Sequence, residues 1–222
     1  MTVFFRRAAF SAAAPLLLAS MLTACSADSD YGAYWQVLRQ SFGGSAITRD
    51  QAAGIPYASL GYRLNGGPQT LLVLATDTNG EQLWTSRAHI VLLTQDGRVK
   101  RTTGLSHNLG ALTPLRGVTL PAPATALEAP STNDFSADFP DIAAYGVPIS
   151  CRMTRKGPET IDILGQSLVT ARVDEECVSE KRRWHFRNSY WLDPGSGFVW
   201  RSLQHIHPHG DTLEIEVFRP PG

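Results

Sequence analysis

Three histidines alternate near the C-terminus, and imidazole is a common ligand of transition metals. His205, His207 and His209 are each separated by one residue, so an extended strand would place all three on one face. Residues 208–211, Pro-His-Gly-Asp, argue that the strand has already turned, because proline cannot donate a ladder hydrogen bond and glycine favours turns. A turn is therefore the simpler interpretation and predicts no metal site; metal binding is the alternative.

A second group of chemically capable residues is acidic. Asp134, Asp138 and Asp141 lie beside Phe135 and Phe139, and a sugar-cleaving enzyme needs two carboxyl groups about 5–10 Å apart. A solvated loop is the simpler interpretation of this stretch. The sequence has no GxSxG, HExxH or phosphate-binding glycine loop, which are the usual signatures of hydrolases and nucleotide enzymes. We therefore predict a non-enzyme with no catalytic residue and no cofactor.

Most of the tryptophans Trp84, Trp184, Trp191 and Trp200 fall on predicted strands. Core packing is the simpler role for them, and sugar stacking is the alternative. Arg182 and Arg183 precede Trp184 and could bind an anionic glycan. A short basic cluster at the start of a strand is more simply a solvated edge.

The N-terminus has the organisation of an export signal. Arg6 and Arg7 precede an apolar run over residues 8–22, and Pro15 interrupts that run, which is shorter than the roughly 20 apolar residues that span a bilayer. Residues 22–25, Leu-Thr-Ala-Cys, resemble the lipobox of bacterial lipoproteins, in which the cysteine is lipidated and becomes the first residue. We predict a signal peptide over residues 1–24 and a lipid anchor at Cys25.

The residue after the cysteine bears on the destination. Ser26 follows Cys25, where an aspartate would resemble the inner-membrane retention signal of enterobacteria. We therefore expect the chain at the periplasmic face of the outer membrane, held by membrane lipid through several acyl chains on Cys25, which together anchor a protein stably.

Two cysteines remain once Cys25 is lipidated. Cys151 and Cys177 would then be the only thiols in an oxidising compartment, so we expect a disulfide between them. The two cysteines fall on the predicted strands 147–155 and 167–177, with the predicted strand 159–163 between them. Two strands with one strand between them lie about 10 Å apart. Because a disulfide needs α-carbons within about 7 Å, we expect the sheet to curl, or the chain to bend near residues 174–176.

Composition and periodicity predict one β-rich domain over residues 25–222. The 20 basic and 20 acidic residues balance, so nothing favours a nucleic-acid partner. An amphipathic helix is predicted near residues 31–42, with apolar residues at helical spacing: Tyr31, Tyr34, Trp35, Leu38 and Phe42.

The remaining sequence divides into an N-terminal half, residues 47–112, a connection rich in proline and alanine, residues 113–130, and a C-terminal meander, residues 131–222. Strands are predicted by period-two patterns between turn signals: residues 57–64, 70–76, 83–94, 98–102, 147–155, 159–163, 167–177, 183–192, 198–205 and 212–218. The expected fold is mainly β, an antiparallel meander curled into a barrel or half-barrel with one N-terminal helix.

Short pieces along nearly the whole mature chain resemble the YjbF-type lipoproteins, the family that includes the group-four capsule lipoprotein. They are the lipobox, Pro56-Tyr57-Ala58-Ser59, Arg63-Leu64-Asn65, Trp84, Gly97-Arg98, Thr103-Gly104-Leu105, Asn108-Leu109, Trp191-Leu192-Asp193, Gly197, Val199 and Gln204. The resemblance implies a β-rich outer-membrane lipoprotein associated with exopolysaccharide or capsule production, with no catalytic residue to transfer.

The leading hypothesis is thus a non-enzymatic accessory factor in polysaccharide assembly or export, with polysaccharide or other export proteins as partners. The alternative is a periplasmic carrier of lipid or lipoprotein, which would need an apolar cavity. A glycan-modifying envelope enzyme is the third possibility.

Overall fold

The computed structural model describes residues 47–117, 130–210 and 212–222. The predicted signal peptide, Cys25 and the predicted helix near residues 31–42 lie outside the described residues. The elements that are described are one short α-helix, α1 (Arg49–Ala53), two short 3₁₀ helices (Pro140–Ile142 and Glu180–Arg182), and twelve strands: β1 (Ser59–Leu64), β2 (Thr70–Thr78), β3 (Glu81–Thr85), β4 (Val91–Gln95), β5 (Arg98–Thr103), β6 (Ala111–Arg116), β7 (Ser131–Phe139), β8 (Ala144–Ile163), β9 (Gln166–Ser179), β10 (Trp184–Leu192), β11 (Val199–His205) and β12 (Thr212–Arg219).

All twelve strands form one antiparallel sheet in the order β5-β4-β3-β2-β1-β12-β11-β10-β9-β8-β7-β6. Neighbours in the sheet are consecutive in sequence except β1 and β12, which pair with Gly61 opposite Glu216 and Tyr62 opposite Ile215. The first and last strands therefore meet in the middle of the sheet. Its two edges are β5 and β6, which follow each other in the chain.

The segment between β5 and β6 brings these edges together. The Thr102 N–H donates to the Leu109 carbonyl over 2.9 Å, and Arg101 Nε donates to the Gly110 carbonyl over 2.8 Å. A long, twisted sheet curls, and here its ends nearly meet. This confirms the predicted antiparallel sheet curled into a nearly closed barrel.

Helix α1 was not predicted, because no helix or strand was assigned to residues 47–56. Thr48 and Gln51 form a capping box: the Thr48 hydroxyl accepts from the Gln51 N–H over 3.3 Å, and the Gln51 side chain accepts from the Thr48 N–H over 2.9 Å. Such reciprocal bonds satisfy two amide donors at a helix start. The helix buries Ala52 beside Ile47 and Ile55.

Strand β7 corrects the prediction of a solvated loop, and β6 corrects the start of the predicted connection. Along β7, Phe135, Ala137 and Phe139 are buried while Asp134 and Asp138 are less buried, so the period-two pattern was present in the sequence. Strand β6 is an exposed sheet edge and contains Pro114, which edge strands tolerate. The rest of the predicted connection, residues 118–129, lies outside the described residues.

One predicted strand and one predicted turn were wrong. Residues 83–94, predicted as one strand, contain a tight turn between β3 and β4, in which the Ser86 N–H donates to the Ile90 carbonyl and the Ser86 hydroxyl accepts from the Ile90 N–H. Residues 156–158, predicted as a turn, instead continue β8 through a bulge between Arg155 and Gly157. A glycine in a strand pattern is typical of a bulge as well as of a turn.

Side chains fill the interior of the barrel. The largest side chains that are almost completely buried are Trp84, Tyr190, Phe139, Ile55, Leu60, Leu71, Leu72, Leu92, Met153, Leu192 and Leu213. Ile55 and Leu71 pack with α1, and the tyrosine, Tyr190, also belongs to a group of buried polar residues that form the first candidate site.

Candidate functional site

A buried ion pair lies at the centre of the barrel. Arg98, the first residue of β5, donates from Nη1 to Glu175 Oε2 over 2.8 Å and from Nη2 to Glu175 Oε1 over 2.7 Å. The side chains are 10% and 0% exposed. A planar guanidinium facing a carboxylate through two bonds is the strongest form of such a pair, and it links β5 to β9.

Further residues satisfy this pair. Asn188 Nδ2 donates to Glu175 Oε2 over 3.0 Å, and the Tyr190 hydroxyl lies 3.4 Å from the same oxygen. The Arg98 guanidinium carbon lies 4.7 Å from the centre of the Phe135 ring and 5.3 Å from that of Tyr190. The charges are therefore enclosed by hydrogen bonds and aromatic rings.

Gln204 of β11 fastens the start of β5 to the same centre. Its Oε1 accepts from the Val99 N–H over 3.0 Å and its Nε2 donates to the Gly97 carbonyl over 2.9 Å. Gly97 has a φ of +76°, and a Cβ there would lie 2.4 Å from Val199 Cβ. Only glycine permits both this backbone conformation and this close approach.

We call Arg98, Glu175, Asn188, Tyr190 and Gln204 the buried junction. Burial alone would raise the pKa of the Glu175 carboxyl, but the Arg98 charge and the hydrogen bonds from Arg98 and Asn188 outweigh it, so the pKa is lowered. Burial raises the pKa of the Tyr190 hydroxyl. The junction therefore holds an ionised Arg–Glu pair and a neutral tyrosine. These contacts attach β5 to β9, β10 and β11.

The three alternating histidines do not gather at one site. His205 ends β11, with its Nε2 3.4 Å from the Thr212 hydroxyl, and His209 is exposed. His207 instead has a fully buried side chain and meets two residues from other parts of the chain.

These two residues are Asp141 and His107, and with His207 they form what we call the histidine cluster. His207 Nε2 lies 3.2 Å from Asp141 Oδ1, and His107 Nδ1 lies 3.3 Å from Asp141 Oδ2. Burial lowers the pKa of the His207 imidazole, which favours the neutral ring despite the Asp141 carboxylate. The cluster joins the β5–β6, β7–β8 and β11–β12 connections at one end of the barrel.

The three aspartates considered for sugar cleavage have separate partners. Asp134 accepts from Arg116 Nη2 over 2.6 Å and from the Ser150 hydroxyl over 2.8 Å, and these contacts lower its pKa. Asp138 accepts from the Gly146 N–H over 2.8 Å. With Asp141 in the histidine cluster, the three carboxylates do not converge on one site.

The tryptophans take part in packing. Trp84 is buried and donates from Nε1 to the Thr94 hydroxyl over 2.8 Å. Trp184 stacks on Phe186 with ring centres 3.9 Å apart, and both pack against the main core. Trp191 and Trp200 belong to a smaller apolar cluster.

Arg182 and Arg183 lie in the connection between β9 and β10. Arg182 ends a short 3₁₀ helix, Glu180–Arg182, and Arg183 has a left-handed φ of +50°. Lys181 precedes them, and together with Trp184 and His209 they border an open surface depression. This is the solvated edge that the sequence indicated, although the depression is basic.

The structure contains a disulfide between Cys151 and Cys177. Cys151 lies directly opposite Cys177 on the neighbouring strands β8 and β9, so the expected intervening strand was wrong. Its source was the false turn at residues 156–158, which divided β8 into two. The disulfide needs neither a bend at residues 174–176 nor the curl of the sheet.

Sequence reasoning did not identify Glu175 or His107 as site residues. Glu175 sits between Asp174 and Glu176, and its partner distinguishes it: Glu175 binds Arg98, whereas Asp174, which is also buried, binds Arg172. Four residues that carry the family resemblance, Gly97, Arg98, Val199 and Gln204, meet at or beside the buried junction. Their presence in the family resemblance was the available signal, and the structure shows that they meet.

Other residues of the resemblance build turns. Asp193 Oδ1 accepts from the Gly195 and Ser196 N–H groups over 3.1 and 2.7 Å. Asn108 Oδ1 accepts from the Leu105 N–H over 3.1 Å, and its Nδ2 donates to the Leu105 carbonyl over 2.8 Å. These side chains stabilise the β10–β11 and β5–β6 connections.

The fold and junction define a nearly closed antiparallel barrel whose mainly apolar core includes the buried Arg98–Glu175 pair. The chain belongs to the family described as "Group 4 capsule polysaccharide lipoprotein gfcB, YjbF", whose sequence pattern matches residues 38–218. The resemblance inferred from the sequence is confirmed.

Relatives and a solved structure agree with this membership. The chain is 31% identical to the uncharacterized lipoprotein YjbF of Escherichia coli K12, over 86% of this chain and 89% of that protein. It is 25% identical to the uncharacterized lipoprotein GfcB of the same strain, over 78% and 81%. The crystal structure of the hypothetical lipoprotein YmcC from E. coli K12 superposes with a TM-score of 0.66 at 20% identity, over 89% and 99%, and this likeness concerns the fold.

The relatives are named lipoproteins, which fits a membrane-anchored protein of the cell envelope. Within the described ranges, the structure contains no helix of sufficient length and apolarity to cross a membrane.

Proposed function

We propose that this protein is a non-enzymatic accessory factor in exopolysaccharide or capsule assembly or export, lipid-anchored through Cys25 at the periplasmic face of the outer membrane. The observation that carries the proposal is the family match over residues 38–218. The relatives also align along most of their length, so the comparison concerns the whole protein.

The arrangement of acidic groups supports an accessory role over glycan cleavage. Glu175 is enclosed by Arg98 and Asn188, and Asp134 is paired with Arg116. Inverting and retaining glycosidases require two carboxyl groups that face each other across the scissile bond. Glu175, Asp134 and Asp141 instead bind side chains of the protein itself, and Asp138 binds a backbone amide.

The filled core weighs against a lipid or lipoprotein carrier. Clefts that reach the core among the described residues have volumes of about 110, 30 and 20 Å³, whereas ligand pockets usually measure about 300–1,000 Å³. Two larger hollows have volumes of about 450 and 390 Å³. The first is bordered by exposed Arg183, and the second, between α1, β8 and β12, by exposed Arg49 and by buried Ala52 and Ile163. The small size of the three core clefts makes the accessory role the better supported of the two.

The function is tested by deleting the gene and measuring polysaccharide outside the cells together with cytoplasmic sugar-nucleotide precursors. We expect exported polysaccharide to fall while precursor levels are maintained, because an accessory factor acts after precursor synthesis. A deletion that depletes the precursors, or that alters glycan linkages without lowering export, would contradict the proposal.

The anchor is tested separately by Cys25→Ser. We expect this variant to lose incorporation of labelled palmitate and to accumulate as a larger, unprocessed precursor, because a hydroxyl does not replace the thiol that accepts the lipid. Cys151→Ser is the matched control and should be processed and labelled normally. Labelled palmitate still entering Cys25→Ser would refute the assignment.

A further inference from the structure

We infer that the histidine cluster is a binding site for a divalent transition-metal ion such as Zn²⁺, with His107, Asp141 and His207 as the protein ligands. This goes beyond the proposed function and does not depend on it. The set differs from the three alternating histidines, of which it retains only His207.

The donor atoms have the right chemistry and spacing. One ligand atom from each of the three residues lies within 4.8 Å of the other two. The two nitrogen–oxygen distances are 3.3 Å from His107 to Asp141 Oδ2 and 3.2 Å from His207 to Asp141 Oδ1. Donors around tetrahedral Zn²⁺, with bonds of about 2.0–2.1 Å, are separated by roughly 3.4 Å. Two imidazoles and one carboxylate leave a fourth position for water.

Packing surrounds the ligands. The rings of His107 and His207 are stacked, with centres 4.9 Å apart and an angle of 14° between them. Because imidazole binds a metal ion in its own ring plane, binding must turn the partly exposed His107 ring out of this stack. Phe139 meets the His207 ring edge-on at 5.0 Å, and a Cβ at Gly210 would lie 2.7 Å from His207 Cβ. The His207 side chain is 0% exposed, while those of His107 and Asp141 are 40% and 31% exposed, so an ion can enter from solvent.

Metal binding also requires a local rearrangement at His207. His207 Nδ1 accepts from the His209 N–H over 3.1 Å, so the neutral ring carries its proton on Nε2 and donates it to Asp141. A metal ion on Nε2 moves that proton to Nδ1, and the His209 N–H must turn away. His209 is exposed and belongs to a short turn, so this change is confined to residues 208–210.

The test is a Zn²⁺ titration of the lipidated mature protein in detergent, against a chromophoric chelator. We expect one Zn²⁺ per chain, and affinity lowered about tenfold or more in His107→Gln and in Asp141→Asn, whose side chains are partly exposed and whose replacement should leave the fold intact. His205→Gln is the control and should bind as the wild type does, because His205 lies outside the cluster.

A thermal readout separates this site from surface histidines. Bound Zn²⁺ should raise the melting temperature of the wild type and of His205→Gln, because a ligand that binds only the folded state stabilises it. It should not do so in Asp141→Asn. An affinity unchanged in both His107→Gln and Asp141→Asn, or no binding by the wild type, would overturn the inference and leave the cluster as a hydrogen-bonded contact between loops.

Discussion

Replacing Arg98 with methionine is expected to lower the free energy of unfolding by about 3–5 kcal/mol, because it leaves the buried Glu175 carboxylate without its charged partner. The Glu175 side chain is 0% exposed and Arg98 supplies two of its hydrogen bonds. Urea denaturation of the wild type and variant measures the difference.

Two further variants make this prediction specific. Arg187→Met removes an exposed pair with Glu176, whose side chains are 56% and 60% exposed, and should cost less than about 1 kcal/mol. The double variant Arg98→Met, Glu175→Leu removes both charges and should recover much of the stability that Arg98→Met loses. Equal effects of Arg98→Met and Arg187→Met would contradict the account of the junction.

The same pair predicts a dependence on pH. In the wild type the pKa of Glu175 is lowered, so its stabilising contribution is present above the unfolded pKa of about 4.3 and is lost as the pH falls through the folded value. In Arg98→Met the unpaired, buried carboxyl has a raised pKa instead. The deficit of the variant should therefore shrink as the pH is lowered and Glu175 takes up a proton.

Removing the disulfide is the second large change. We expect Cys151→Ala with Cys177→Ala to lower the free energy of unfolding by about 3 kcal/mol, because the bond closes a loop between residues 26 apart in sequence and so restricts the unfolded chain. Both positions are buried in the main core, and alanine leaves no polar group there. Thermal and urea denaturation of oxidised protein measures the loss.

Membrane attachment is the control for this pair of substitutions, since the variant keeps Cys25 and should fractionate with membranes as the wild type does. Mass spectrometry of non-reduced protein should also find the peptides of Cys151 and Cys177 cross-linked. Free thiols at both positions in protein never exposed to reductant would contradict the pairing.

Much of the sheet could be predicted because its strands are joined by turns with clear chemistry. Residues 164–166 and 193–197 separate predicted strands, and in the structure each segment joins consecutive strands of the sheet. The errors arose where turn chemistry and strand pattern disagree. Gly157 lies in a bulge of β8, and the β3–β4 turn is closed by Ser86 rather than by glycine or proline.

A single error in the strand pattern changed the expected geometry of the disulfide. Dividing β8 at residue 156 put a strand between Cys151 and Cys177, which are in fact opposite each other. The pairing itself was expected from the count of thiols and the compartment. Register could not be obtained in the same way, because it depends on which turns the chain makes.

The candidate sites depend on contacts between distant residues. Arg98 and Glu175 are 77 residues apart, and His207 is 66 residues from Asp141. No local pattern indicates such pairs, since an arginine on a strand and an acidic run are usually solvated. The family resemblance did include Gly97, Arg98 and Gln204, although no pattern in the sequence indicates that they meet.

The most direct test of the central claim measures exported polysaccharide in the deletion strain after complementation with the wild type or with Cys25→Ser, at matched protein levels. A lipid-anchored accessory factor predicts that the wild type restores export and that Cys25→Ser does not. Restoration by Cys25→Ser without palmitate would contradict the anchored role, and undiminished export in the deletion strain itself would contradict any role in export.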